Sequence, residues 1–139
     1  MSGAKKEGTK FDDNKPRPSL MPVGPLLEVA ALYTKGSIKY GEHNWEYGMK
    51  WSRIFDALIR HSFKWWNGEE CDQEDGQHHL AAVVWNALAL MEYRETHPEL
   101  DDRFKSPKVL AIDVTELTEQ EIERIKKFRE EIRMKKDNS

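Results

Sequence analysis

His61 and His79 bracket a short acidic stretch in which Glu69 and Asp72 form an E-x-x-D unit. Carboxylates three positions apart can share a hard divalent cation, and imidazoles either complete such a ligand set or act as a base, because they titrate near working pH. On a helix, E-x-x-D would stack both carboxylates on one face. Each feature also has an ordinary reading. A lone histidine on an apolar face is commonly a core residue bonded to a carbonyl, and E-x-x-D occurs by chance on many surface helices. The position of the acidic pair between two histidines is what points to a site. His61, His79 and Glu69 are the catalytic candidates. His61, Glu69, Asp72 and His79 are the candidate ligands, with Mg²⁺ or Mn²⁺ as the expected cation.

A second constellation lies upstream in KYGEHNW, residues 39 to 45. Lys39 offers charge for phosphate, Tyr40 and Trp45 offer flat faces for a base, and Asn44 can read a base edge or a sugar hydroxyl. Aromatics beside glycines also serve as hydrophobic plugs, so both roles stay open for Trp45. Arg60 and Arg53 are candidate phosphate contacts or plain surface charges. Asn86, inside AAVVWNALAL, must find hydrogen-bond partners, since an unpaired buried amide costs roughly 1–3 kcal/mol. It either bridges helices or orients a ligand. Glu28 is a second-rank ligand, and His78 reads better as the finish of a turn.

Helices must position these groups. Pro25 suits a helical first turn, and LLEVAALYTK continues to Gly36, a candidate left-handed cap. SIKYGEHNWEYGMK then reads as a loop with one helical turn at its start. Ile54, Leu58, His61 and Trp65 share one face of a helix predicted from about Ser52 to Trp66. On a third helix, beginning near Gln77, His79, Val83, Asn86 and Leu90 share a stripe in the same way, so both histidines face inward. Beyond Pro98, KVLAIDV (108 to 114) is a short strand-like run. Thr118 with Glu121 forms a capping-box pattern ahead of a narrow stripe of Ile122, Ile125 and Ile132. The expected architecture is all-α: an extended arm over 1–24, a compact helical core of three to four helices over 25–97, and an extension over 98–139 with the strand-like stretch and an amphipathic helix.

The chain has 139 residues, 22 Lys and Arg against 25 Asp and Glu, and a net charge of -3, which does not favour a nucleic-acid partner. Its one cysteine, Cys71, cannot form an internal disulfide, and the start MSGAKKEGTK lacks a signal-peptide core. The nearly apolar run from Leu80 to Met91 is too short to span a bilayer. A cytoplasmic protein is expected, with no membrane partner.

KFDDNKPRPSLMP, LLEVA, KGSIKYGEHNWEYG and ALIRHSFKWWNGEECDQEDGQHHLAAVVWNALAL, in that order, resemble the small phage-encoded family of dATP/dGTP diphosphohydrolase-type proteins over roughly residues 10 to 95. The pattern includes a KYG..NW segment, RH, GE..D and a following His. Lys39, Tyr40, Asn44, Trp45, His61, Glu69, Asp72 and His79 occupy matching positions. The resemblance implies cleavage of a deoxypurine nucleoside triphosphate to the monophosphate and pyrophosphate, in host cytoplasm if phage-encoded. A homo-oligomer is expected. Helical pyrophosphohydrolases of the MazG-like kind pair E-x-x-E with E-x-x-D, whereas this chain has E-x-x-D without a clear upstream E-x-x-E. The competing expectation is a non-catalytic nucleotide-binding or phage-host interaction module.

Overall fold

The computed structural model describes residues 3–4, 6–103 and 117–138. Among them the structure is all-helical, with four α-helices: α1 (Val23–Tyr40), α2 (Trp51–Trp66), α3 (His79–Thr96) and α4 (Glu119–Asp137). The strand-like run KVLAIDV lies outside the described residues. Two compact units are formed, one over Met21–Ala111 and the other combining Met1–Leu20 with Ile112–Ser139.

In the first unit α1 runs further than the sequence suggests. It passes through Gly36 and stops at Gly41, which adopts φ 91° and donates its N–H to the Ser37 carbonyl. A helical glycine costs only about 1 kcal/mol relative to alanine, so Gly36 is carried through. The residues SIKY are therefore helical, and the loop shrinks to Gly41–Lys50 around a 3₁₀ turn at Asn44–Tyr47. Helix α2 ends as expected at Asn67 and Gly68, where the glycine takes φ 96° and donates to the Trp65 carbonyl.

The core is built where α2 and α3 pack together, from Trp51, Ile54, Ala89 and Tyr93 with Trp45, Met49, Trp85, Leu90 and Leu100 against them. Tyr33 brings α1 onto this core, its ring 5.8 Å from Trp85 and 6.0 Å from Trp45. Residues 97–103 fold back on the same cluster. The Trp51 indole donates to the His97 carbonyl at 3.2 Å, and Asp102 accepts from the Ser52 backbone N–H at 2.9 Å, tying the first turn of α2. Gly48 sits at φ 94°, where an added Cβ would lie 2.7 Å from Leu100 and 3.0 Å from the His97 ring. This close approach fixes the loop against the chain that leaves α3.

In the second unit α4 starts with the predicted capping box. The Thr118 side chain accepts from Glu121 N–H, and Glu121 accepts from Thr118 N–H. It buries none of its residues.

Candidate metal centre

The connector between α2 and α3 is not helical, so its carboxylates do not stack by helical spacing. It is a tight hairpin with an antiparallel bridge between Cys71 and His78. Asp72 N–H donates to the Gln77 carbonyl at 2.8 Å, and Gly76, at φ 72°, donates to the Asp72 carbonyl at 2.8 Å. His79 N–H then bonds to the Glu70 carbonyl at 3.0 Å, so the hairpin is pinned to the first turn of α3. His78 caps that helix by accepting from Leu80 N–H at 3.1 Å, and its other nitrogen pairs with Glu70 at 3.1 Å. Its turn-finishing role is thus a structural one.

Through this hairpin Asp72 reaches the two inward histidines. One donor atom each from His61, Asp72 and His79 lies within 4.8 Å of the others. The imidazoles meet Nδ1 to Nδ1 at 2.8 Å, and His79 is fully buried. Behind it, the His79 Nε2 lies 3.1 Å from Glu69 Oε1. A carboxylate can only accept, so the tautomer this contact favours carries its proton on Nε2 and leaves Nδ1 bare toward the cluster. Glu69 therefore orients a ring from behind, outside the three-residue cluster. A carboxylate holding the far nitrogen of a histidine is the usual support of a metal-binding imidazole.

Charge around the cluster favours the ligand forms. Burial first, then the neighbouring His79, pushes the His61 pKa below its ordinary value, with Arg60 and Lys64 acting the same way and Asp72 opposing them. The Asp72 carboxyl is held low chiefly by the Glu74 N–H, which donates to it at 2.9 Å, and then by the Lys64 ammonium. Lys64 stands 3.7 Å from Asp72, a partner that sequence reading missed although it follows His61 by three positions on the same helix. His97, by contrast, is raised by its bonds to Glu99 and to the Glu46 carbonyl.

These opposite shifts give a testable sign. In an NMR titration of the metal-free protein, His61 should titrate below the ordinary value near 6.5 and His97 above it. The His61 contribution to stability is then complete above about pH 6.5 and lost as pH falls through its folded value, whereas that of His97 is complete below about 6.5 and lost as pH rises through its folded value. Coincident midpoints would contradict the geometry.

The other candidates lie elsewhere on the unit. Lys39 and Tyr40 end α1 on the surface, with the ammonium 4.9 Å from the Tyr40 ring centroid. The Lys39 pKa is raised first by Tyr40, and also by the charges of Asp75 and Glu74 in the hairpin. Asn44 and Arg60 are exposed. Trp45 is half-buried between Tyr33 and Tyr93, with ring centroids at 6.0 and 6.1 Å, the packing of a plug. Asn86 is buried and donates to the Ala82 carbonyl at 2.7 Å. Glu28 is exposed on α1 and stands outside the cluster.

No described helix is long and apolar enough to cross a membrane. A family model described as "dATP/dGTP diphosphohydrolase, N-terminal" matches residues 5–103. A dATP/dGTP diphosphohydrolase of Salmonella phage PMBT28 is 34% identical over 96 residues, which cover 69% of this chain and 33% of that relative. The chain thus spans about a third of the length of the curated relative it matches. No solved structure matches the chain. Because the matched span takes in α1, α2, the hairpin and α3 with every residue of the cluster, the chain belongs to the dATP/dGTP diphosphohydrolase N-terminal family.

Proposed function

We propose that this chain is a metal-dependent hydrolase of deoxypurine nucleoside triphosphates, releasing the monophosphate and pyrophosphate. The observation that carries this reading is the His61, Asp72 and His79 cluster with Glu69 behind it, in a chain of this family. The donor set fits a divalent cation. Ligand atoms sharing one cation with bonds near 2.1 Å sit roughly 3–3.4 Å apart, against 2.8 Å between the histidine nitrogens and a span of up to 4.8 Å across the three residues, which a cation would draw in. Two imidazoles and one carboxylate suit Mn²⁺ better than Mg²⁺, which prefers oxygen. When bound, such a cation neutralises phosphate charge and makes a coordinated water more acidic.

The chain's own residues supply position and charge. His61, Asp72 and His79 hold the cation, and Glu69 keeps the His79 proton on Nε2. Lys39 and Arg60 are exposed cations suited to the phosphates, while Tyr40 and Asn44 suit the base and sugar. In the reaction, a water oxygen bonds to the α-phosphorus and its proton is released to solvent, while the bond from that phosphorus to the α,β-bridging oxygen breaks and pyrophosphate leaves with that oxygen.

Purified protein incubated with each dNTP and Mn²⁺ or Mg²⁺, with products resolved by ion exchange, tests this. Metal-dependent loss of dATP or dGTP with stoichiometric pyrophosphate is expected. Binding without consumption would replace the enzyme by a nucleotide-binding module, and neither binding nor turnover would reject both. Glu69→Gln should weaken Mn²⁺ binding by roughly 10–100-fold, as removal of a ligand's hydrogen-bonded carboxylate does. Calorimetric titration with Mn²⁺ measures it, and unchanged affinity would remove Glu69 from the site.

A further inference from the structure

Helix α3 has no Asp, Glu, Lys or Arg from His79 to Met91. A helix apolar on every side belongs in an interior, yet one side of α3 is bare. Leu80, Val84, Leu88 and Met91, at offsets of 0, 4, 8 and 11, make a stripe that is between 38% and 60% exposed. α1 leaves it open, since it packs through Trp85, one residue and about 100° round the helix from Val84.

Helix α2 repeats the pattern. Phe55, Phe63 and Trp66, at offsets of 0, 8 and 11, are between 54% and 81% exposed, with half-buried Ile59 completing the row. The helices are antiparallel, and both stripes lie roughly 120° round in the same sense from the residues by which α2 and α3 meet, such as His61 and His79. In an antiparallel pair this puts both stripes on the same side. A groove of about 740 Å³ touches the stripes at Phe55 and Met91 and is walled otherwise by Trp51 and Leu90 and by the polar Ser52, Arg94, Asp102 and Arg103.

We propose that a second copy of this chain covers this face, giving a symmetric dimer in which two α2–α3 hairpins pack against each other. The area matches. At about 150–250 Å² for a large side chain, the exposed fractions of the two stripes amount to roughly 750 Å² per copy, close to the ~800 Å² per partner of a stable interface. The exposed Ile125, Phe128 and Ile132 of α4 supply roughly 300 Å² on the same basis, too little to cover the face. A self-complementary apolar patch closes with two-fold symmetry and needs no charge pairing.

Sedimentation equilibrium of the full chain tests the dimer, with helical circular dichroism as the control for folding. The wild type should be dimeric at about 10 µM, and Leu88→Lys or Phe63→Glu, each at an already exposed position, should weaken association at least ~100-fold with helicity unchanged. A wild type that stays monomeric at about 100 µM would overturn the proposal. So would a dimer indifferent to both substitutions, or one dispersed by Phe128→Glu but not by Leu88→Lys, which would make α4 the interface. The outcome is independent of turnover, because the face lies away from the histidine cluster.

Discussion

Asp72→Ala should lower metal-dependent dNTP turnover and Mn²⁺ affinity together, each by roughly a hundredfold or more, while the helices stay folded. Asp72 is the one carboxylate in the three-residue cluster, and its loss leaves two neutral imidazoles without a negative charge to offset the cation. The structural cost is small by comparison. Glu74 N–H loses an acceptor and Lys64 loses an exposed ion-pair partner, which amounts to about 1 kcal/mol for the hydrogen bond. Turnover by the variant at the wild-type rate, or full wild-type activity in excess chelator, would sink the metal-centre reading. A variant that binds Mn²⁺ normally but does not turn over would move Asp72 from ligand to base.

Trp45→Ala should act on stability, with a loss of about 3 kcal/mol and a melting midpoint lower by roughly 10–20 °C for a unit of this size. Its indole is packed between Tyr33 and Tyr93, and its carbonyl accepts from the Tyr93 hydroxyl. Truncation would therefore open a void beside the fully buried Tyr93 and loosen the turn that carries Asn44. Calorimetric melts alongside kinetics decide. A raised KM with an unchanged melt would assign the indole to the nucleobase, because stacking contributes equally to ground and transition states.

Periodicity in the sequence places His61 and His79 on inward stripes, and the structure brings their nitrogens to 2.8 Å. That much follows from 3.6-residue spacing, which tertiary packing of an apolar face reinforces. Spacing could not reveal how Asp72 arrives. E-x-x-D suggests a helical stack, whereas Asp72 comes in on a hairpin closed by Asp75–Gly76, a dipeptide whose turn preference was the available signal. The division of labour between Glu69 and Asp72 was illegible for a different reason. Which carboxylate touches the cluster and which stands behind His79 depends on the register of the Cys71–His78 bridge, a tertiary fact. The end of α1 lies beyond Gly36 because glycine marks a helix end only on average, and here it is outweighed by the helical residues on either side. The packing of 97–103 on Trp51 leaves no local pattern in sequence, since its partners lie some 46 to 50 positions upstream.

The two histidines of the cluster are separated by only 18 positions along the chain. Closing so short a loop carries a modest entropic penalty, which grows only slowly with length. Synthesis on the ribosome delivers α2, the hairpin and the first turns of α3 as one continuous piece, before the residues that anchor Trp51 have been translated. The arrangement of His61, Asp72 and His79 is therefore encoded in a nearly self-sufficient segment whose nucleation does not wait for distant parts of the polypeptide. Such a segment is suited to transplantation onto another antiparallel helical pair, carrying its two imidazoles and their carboxylate with it.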